Sequence, residues 1–154
     1  MIYSGLIFGF DFGQKKIGLA KGQMITQTAT PLTILRAQAG EPQWPQLDAL
    51  VATWHPVAMV LGLPLNADGS MSTTAIAAQA FGELLRQRYQ RPLHYMDEHL
   101  TTYAARQRSK EYGHKPGWVD AQAAQIMLES WLCTGRAAKS WLCKLMPKAI
   151  FATY

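Results

Sequence analysis

Four acids stand where chemistry is possible: Asp11 within GFDFGQKKIGLA (residues 9–20), the adjacent Asp97 and Glu98, and Asp120. Asp11 is the least ordinary. It interrupts an apolar run between Phe10 and Phe12, and burying an ionised carboxylate costs several kcal/mol unless something pairs with it. Strand alternation sets Ile7, Gly9, Asp11 and Gly13 on one face, so the glycines are expected to leave room beside the acid for a ligand. Taken singly, Asp97 or Glu98 reads as a solvated strand end, and Asp120 as an acid favoured in a first helical turn by the helix dipole. Convergence changes that reading. Three carboxylates at one point repel one another unless a divalent cation neutralises them, and Mg²⁺ takes carboxylate and water oxygens in an octahedral shell. A pair of such ions clamps a phosphodiester for in-line attack.

The elements that must position these acids follow from periodicity. Residues 6–12 and 17–23 read as strands joined by a short polar turn, with a third strand expected within 25–35. Trp44, Leu47, Leu50, Val51 and Trp54 share one stripe of a helix over 43–55, closed by Pro56. Residues 57–63 (VAMVLGL) are an apolar run of buried-strand length. After PLNADGS, a helix is expected over about 72–89, capped by Ser70, Ser72 or Thr73. There follow a strand over 92–97, a helix from Thr101 or Thr102 to about Lys110, the loop EYGHKPG, and a last helix over about 118–133. This order predicts an α/β layer protein with βαβ crossovers in its second half. Asp11 then ends the first strand, Asp97 and Glu98 end a later one, and Asp120 opens the last helix. Open sheets of this kind bind ligands beyond the carboxyl ends of strands.

Composition bounds the function. The 154 residues suffice for one domain with its own core, and 49% hydrophobic against 16% charged residues excludes a disordered chain. No apolar stretch spans a bilayer and no basic-then-apolar leader opens the sequence, so neither membrane insertion nor export is expected. Cys133 and Cys143 make neither a CxxC pair nor a zinc spacing; free thiols in a reducing cytoplasm are expected. The net charge of +5 is concentrated: residues 136–154 hold four bases and no acid, leaving 11 bases against 10 acids in residues 1–135. What counts for nucleic acid is therefore local clustering, as in Lys15, Lys16 and Lys21, and in Arg106, Arg108, Lys110 and Lys115.

FDFGQKKIGLA, GLPLNADGS, DEHLTT and VDAQAAQIMLES, in this order over roughly residues 5–133, resemble the YqgF family of RNase H-like nucleases. The resemblance implies an RNase H-like α/β fold, a mixed central sheet flanked by helices, over residues 1–135. It implies a hydrolase that cuts phosphodiester bonds, either a Holliday junction resolvase or the nuclease that matures the 5′ end of precursor 16S ribosomal RNA. Asp11, Glu98 and Asp120 would be its catalytic, metal-binding acids. Alternation lets one of Asp97 and Glu98 face the site, and the family pattern selects Glu98. The cofactor implied is Mg²⁺ or Mn²⁺, as two weakly held ions. Two positions depart from relatives of this fold. A fourth acid one turn after the last is here Ala123, which points to a three-acid site leaning on water and substrate oxygens. A lysine just before the final Asp is replaced by Gly117 and Trp118, leaving Lys115 as the nearest cation.

Weaker candidates concern substrate. Lys15 and Lys16 follow Asp11. Asn66 and Ser70 lie in GLPLNADGS, whose N–H groups either cradle a phosphate or close an ordinary Asp-Gly turn. Thr101 caps a helix or positions Glu98. Arg106 and Lys115 form a basic track toward Asp120, with Trp118 placed to stack on an unpaired base. His94, His99 and His114 show no metal-ligand spacing. The extension 136–154 carries Trp141, Leu142, Leu145 and Met146 as one apolar helix face, expected to dock on the domain. Near-neutral residues 1–135 and no evident dimer helix favour a single-strand RNA substrate in a ribosomal precursor over a junction needing paired sites. Two rivals are an actin-like nucleotide-binding protein, which needs two such domains, and a non-catalytic RNA-binding module, which would have no use for a carboxylate cluster.

Overall fold

The computed structural model describes residues 3–97 and 119–137. Its centre is a six-stranded mixed sheet. The strands are β1 (Leu6–Asp11), β2 (Lys16–Gln23), β3 (Thr28–Gln38), β4 (Glu41–Pro42), β5 (Ala58–Leu63) and β6 (Leu93–Asp97), in spatial order β4-β3-β2-β1-β5-β6. β1 to β4 form an antiparallel meander, while β5 and β6 extend β1 in parallel through helical crossovers. The helices are α1 (Trp44–Trp54), α2 (Thr73–Tyr89) and α3 (Val119–Ala137).

Side-chain alternation splits the core into two layers. On one face Phe8, Phe10, Ile17, Leu19, Leu35, Met59 and Leu61 bury against Leu47 of α1 and Ala78, Phe81 and Leu85 of α2. On the other, Ile7, Ala20, Val60 and Met96 bury against Ala124, Met127, Leu128, Trp131 and Leu132 of α3. The first layer is aromatic: Phe81 meets Phe10 edge-on at 5.8 Å and lies over Trp44 at 6.2 Å. In the second, glycines of the sheet let α3 lie almost on the backbone. A Cβ at Gly9 would stand 2.8 Å from Leu128 Cβ, and one at Gly22 would stand 2.9 Å from Leu132 Cδ1. The room that Gly9 leaves beside Asp11 is therefore filled by α3. Helix packing, rather than ligand approach, is why glycine stands there.

Local signals explain the helix limits. Pro45 starts α1, and His55, with φ 48°, stops it by returning its N–H to the Val51 carbonyl. Ser72 caps α2 by accepting the Ala75 N–H at 3.0 Å while its own hydroxyl donates to the Pro64 carbonyl. The two helices are tied at the surface by Arg88 and Tyr89, both hydrogen-bonded to Asp48. Those bonds, the Arg88 bond foremost, hold the Asp48 carboxyl down at about 2.

The largest difference from the sequence expectation is β3, which starts at Thr28 and runs to Gln38, with β4 added beyond it. Its ladder with β2 is irregular. Ala20 faces Pro31, but Leu19 faces Thr33, so one extra residue is accommodated between them. The expected helix from Thr101 to Lys110 and the residues from 138 onward lie outside the described residues.

Candidate active site

The site is built at the end of the sheet where β1, β5 and β6 terminate and β2 begins. Asp11 closes β1, half-buried, and its Cα partner across the antiparallel ladder is Gly18. α3 meets that same residue. A Cβ on Gly18 would stand 2.0 Å from the Asp120 carbonyl oxygen and 2.9 Å from the Ala121 nitrogen. The first turn of α3 thus lies directly over the rung that Asp11 shares, which brings two of the three expected acids to one end of one face. They are 109 positions apart in the chain, and the contact depends on Gly18 having no side chain.

Asp97 behaves differently. In β6 it is in register with Leu63 of β5 and follows the parity of Leu93 and Tyr95, which pack in the aromatic layer with α1 and α2. His94 and Met96 take the α3 face instead. Asp97 therefore belongs to the sheet face away from Asp11. Glu98, Thr101, Arg106, Lys115 and Trp118 lie outside the described residues. Among the described residues no three acids, histidines or cysteines gather in a metal-binding group.

The loop after β5 shares this end of the sheet, and its donors are committed internally. Asn66 N–H donates to the Ser70 carbonyl, Gly69 N–H to the Asn66 carbonyl, and Ser70 N–H to the Asp68 carboxylate, each at 2.9 Å. Asn66 Nδ2 donates to Ser70 Oγ at 3.0 Å, and Ser70 Oγ donates to Asp68. These bonds, led by that of the Ser70 hydroxyl, lower the Asp68 pKa. The arrangement is the Asp-Gly turn of the sequence reading, with no N–H of Asn66, Gly69 or Ser70 left for a phosphate. Lys15 and Lys16 are exposed at the start of β2, two to three residues before Gly18. Arg36 is Lys16's partner on β3, and sequence reading missed it because the bulge in β3 decides which face it takes.

Comparison with known proteins fixes the family. The family model for RuvX, described as Holliday junction resolvase, matches residues 5–134. The chain belongs to the RuvX family. RuvX is the YqgF family of the sequence resemblance, and it is a family of hydrolytic nucleases acting on phosphodiester bonds of nucleic acid. Curated relatives carry the name "Putative pre-16S rRNA nuclease". One from Pseudomonas aeruginosa is 45% identical over 131 residues, covering 82% of this chain and 91% of its own. Another, from Hydrogenovibrio crunogenus, is 44% identical over 128 residues, covering 83% and 93%. Solved structures share the fold at low identity. Thermus thermophilus RuvC in complex with a Holliday junction substrate aligns with a TM-score of 0.54 at 14% identity, covering 87% of this chain and 96% of that one. The yeast mitochondrial Holliday junction resolvase aligns at 0.57 and 12%, covering 94% and 86%. The RuvX fold here is RNase H-like, as the sequence motifs imply.

Proposed function

We propose that this RuvX-family nuclease hydrolyses the 5′ region of precursor 16S ribosomal RNA, using Asp11, Glu98 and Asp120 as its metal-binding acids. The observation that carries the assignment is the rung at Gly18, where the Asp11 strand end and the Asp120 helix turn meet on one face. Asp97 lies on the other face, which leaves Glu98 as the acid of that pair consistent with the family pattern. The donor set is hard oxygen, which suits Mg²⁺ or Mn²⁺ and does not suit a softer metal. When bound, such ions would supply an activated water and charge neutralisation at the scissile phosphate. The protein's own part is to hold the carboxylates at fixed spacing, Asp11 by the ladder and Asp120 by the helix seated on Gly18.

Two observations favour the ribosomal precursor. The curated relatives named for pre-16S rRNA align over nearly their whole length. Residues 1–135 also hold 11 bases against 10 acids, a near-neutral balance that does not favour the broad positive surface two duplex arms call for. The second reading, junction resolution, rests on the family description and on the fold shared with resolvases. No helix among the described residues is long and apolar enough to cross a membrane.

The test sets precursor 16S 5′-leader RNA beside a four-way DNA junction at matched salt, each with Mg²⁺, with Mn²⁺ and with chelator. Metal-dependent cleavage of the RNA at a defined position is expected, and Asp11→Asn should reduce it to background while the protein melts no lower than wild type, because one repelling charge is gone. Symmetric junction cutting with the RNA left whole would replace the RNA reading by the resolvase one. An Asp11→Asn protein cutting at the wild-type rate would remove Asp11 from the metal site.

A further inference from the structure

Lys16 and Arg36 are direct cross-strand partners, both exposed, at the end of the sheet that carries Asp11 and Asp120. Along β2, Ile17 and Leu19 bury in the aromatic layer, whereas Gly18 and Gly22 face α3, so Lys16 shares the parity of Gly18. Arg36 follows Leu35, which is fully buried in the aromatic layer, and so takes the same face as Lys16. Like charges directly opposite one another in a ladder destabilise it. Among the described residues neither side chain has an acid or a hydrogen-bond partner to offset this.

The bulge is what creates the pair. Had the ladder kept the register of Ala20 with Pro31, Lys16 would face Leu35, putting that leucine on the acid-bearing face and driving Arg36 into the aromatic layer. The register shift between Leu19 and Ala20 keeps Leu35 inside and turns Arg36 toward the site. Lys16 lies two residues, about 7 Å along the strand, from the Gly18 rung. Two exposed cations at that distance from a carboxylate site suit the backbone of a nucleic acid strand, one phosphate upstream or downstream of the bond to be cut. An arginine adds the possibility of two parallel hydrogen bonds to one phosphate.

We infer that Lys16 and Arg36 form a phosphodiester-backbone binding site that leads the substrate strand over β2 and β3 to the acids. The inference rests on the nuclease reading above and adds to it the path of the strand. It is tested by equilibrium binding in chelator, using whichever of the labelled leader RNA and the four-way junction the wild-type protein cleaves, over a series of salt concentrations. On single-stranded RNA, each lost contact should flatten the plot of log affinity against log salt by about 0.7, so the double variant Lys16→Gln/Arg36→Gln should lose about 1.4. Its affinity deficit then grows about 25-fold for each tenfold dilution of salt. Arg36→Lys should keep most of the slope. Arg86→Gln, which removes one charge from α2 on the opposite face, is the bulk-charge control and should leave the slope unchanged. A double variant that melts like wild type but keeps the wild-type slope overturns the inference, as does an equal fall with Arg86→Gln. In either case the nuclease reading stands if cleavage persists. A wild-type protein that cleaves neither substrate overturns both.

Discussion

Replacing Gly18 by alanine should separate catalysis from folding more cleanly than any change to the acids themselves. The added Cβ would stand 2.0 Å from the Asp120 carbonyl oxygen, and a carbon in that position needs at least 3.0 Å. The obstructing atoms are the backbone of the first turn of α3, so no side-chain rotation relieves the clash. The helix end must retreat by about 1 Å, taking Asp120 away from Asp11, and a displacement of that size in a catalytic constellation costs about 100-fold in rate. Overpacking of this kind also costs about 1–3 kcal/mol, roughly 2–12 °C in melting temperature for a chain of this length.

Gly9→Ala serves as the internal comparison. Its Cβ would meet Leu128 Cβ at 2.8 Å, more than two helical turns further along α3, so it strains the same interface away from the acids. Both variants should therefore lose stability, Gly18→Ala at least as much as Gly9→Ala, and Gly18→Ala should lose far more activity. The assay is single-turnover cleavage under saturating Mg²⁺, at a temperature well below both melting points, with melting curves recorded on the same preparations. If Gly18→Ala and Gly9→Ala cleave alike, the seat on Gly18 does not set the position of Asp120, and the account of the site fails.

Two further predictions concern the scaffold. Ser72→Ala removes the cap of α2 and leaves the Pro64 carbonyl without its donor, so it should cost about 1 kcal/mol in a denaturant melt while leaving cleavage intact. His94, bonded to the Tyr3 hydroxyl at 2.8 Å and packed against Trp131, has its pKa lowered by burial from 6.5. The folded chain therefore resists a proton that the unfolded chain accepts: this stability is fully present above about pH 6.5 and declines as the pH falls below it. A His94→Gln protein should show a flatter fall in melting temperature between pH 7 and pH 5 than wild type, and an equal fall would exclude His94 as its source.

Much of this fold is legible in the sequence because local signals agree with tertiary demands. Pro56 after the first helix, Ser72 among the three candidate caps of the second and the apolar run 57–63 each mark an element boundary to within two residues without help from the rest of the chain. β3 is less legible. TATPLTILRAQ holds a proline and one extra residue, so its alternation fails midway, and only the pairing with β2 shows that the pattern resumes with Leu35 inside. That failure hides Arg36. The glycines were legible as a feature but not in their purpose. Gly9 and Gly13 were expected to open space for a ligand, yet Gly9 and Gly18 admit a helix separated from them by 100 residues or more, which no local pattern foretells.

The position of Asp11 follows from the topology. Among the described strands, β1 has an antiparallel neighbour on one side, β2, and a parallel one on the other, β5. The antiparallel side returns the chain at once, so the start of β2, with Lys16 and the bare backbone of Gly18, lies beside the end of β1. The parallel side returns it through α1, so the ends of β5 and β6 also arrive at that level, bringing the Asn66–Ser70 turn and Asp97. A strand end where the sheet changes from one connection to the other is where an open α/β sheet leaves a crevice. In this chain β1 of the meander ends there in Asp11, and the helix that crosses back over the sheet sets the backbone of Asp120 over the neighbouring Gly18 rung. The same meander supplies cations where the start of β2 pairs with the bulged strand β3. Acids at the junction and bases on the antiparallel wing give a substrate strand a direction of approach, from β3 across β2 toward β1, and that direction is what the salt dependence of the Lys16 and Arg36 variants measures.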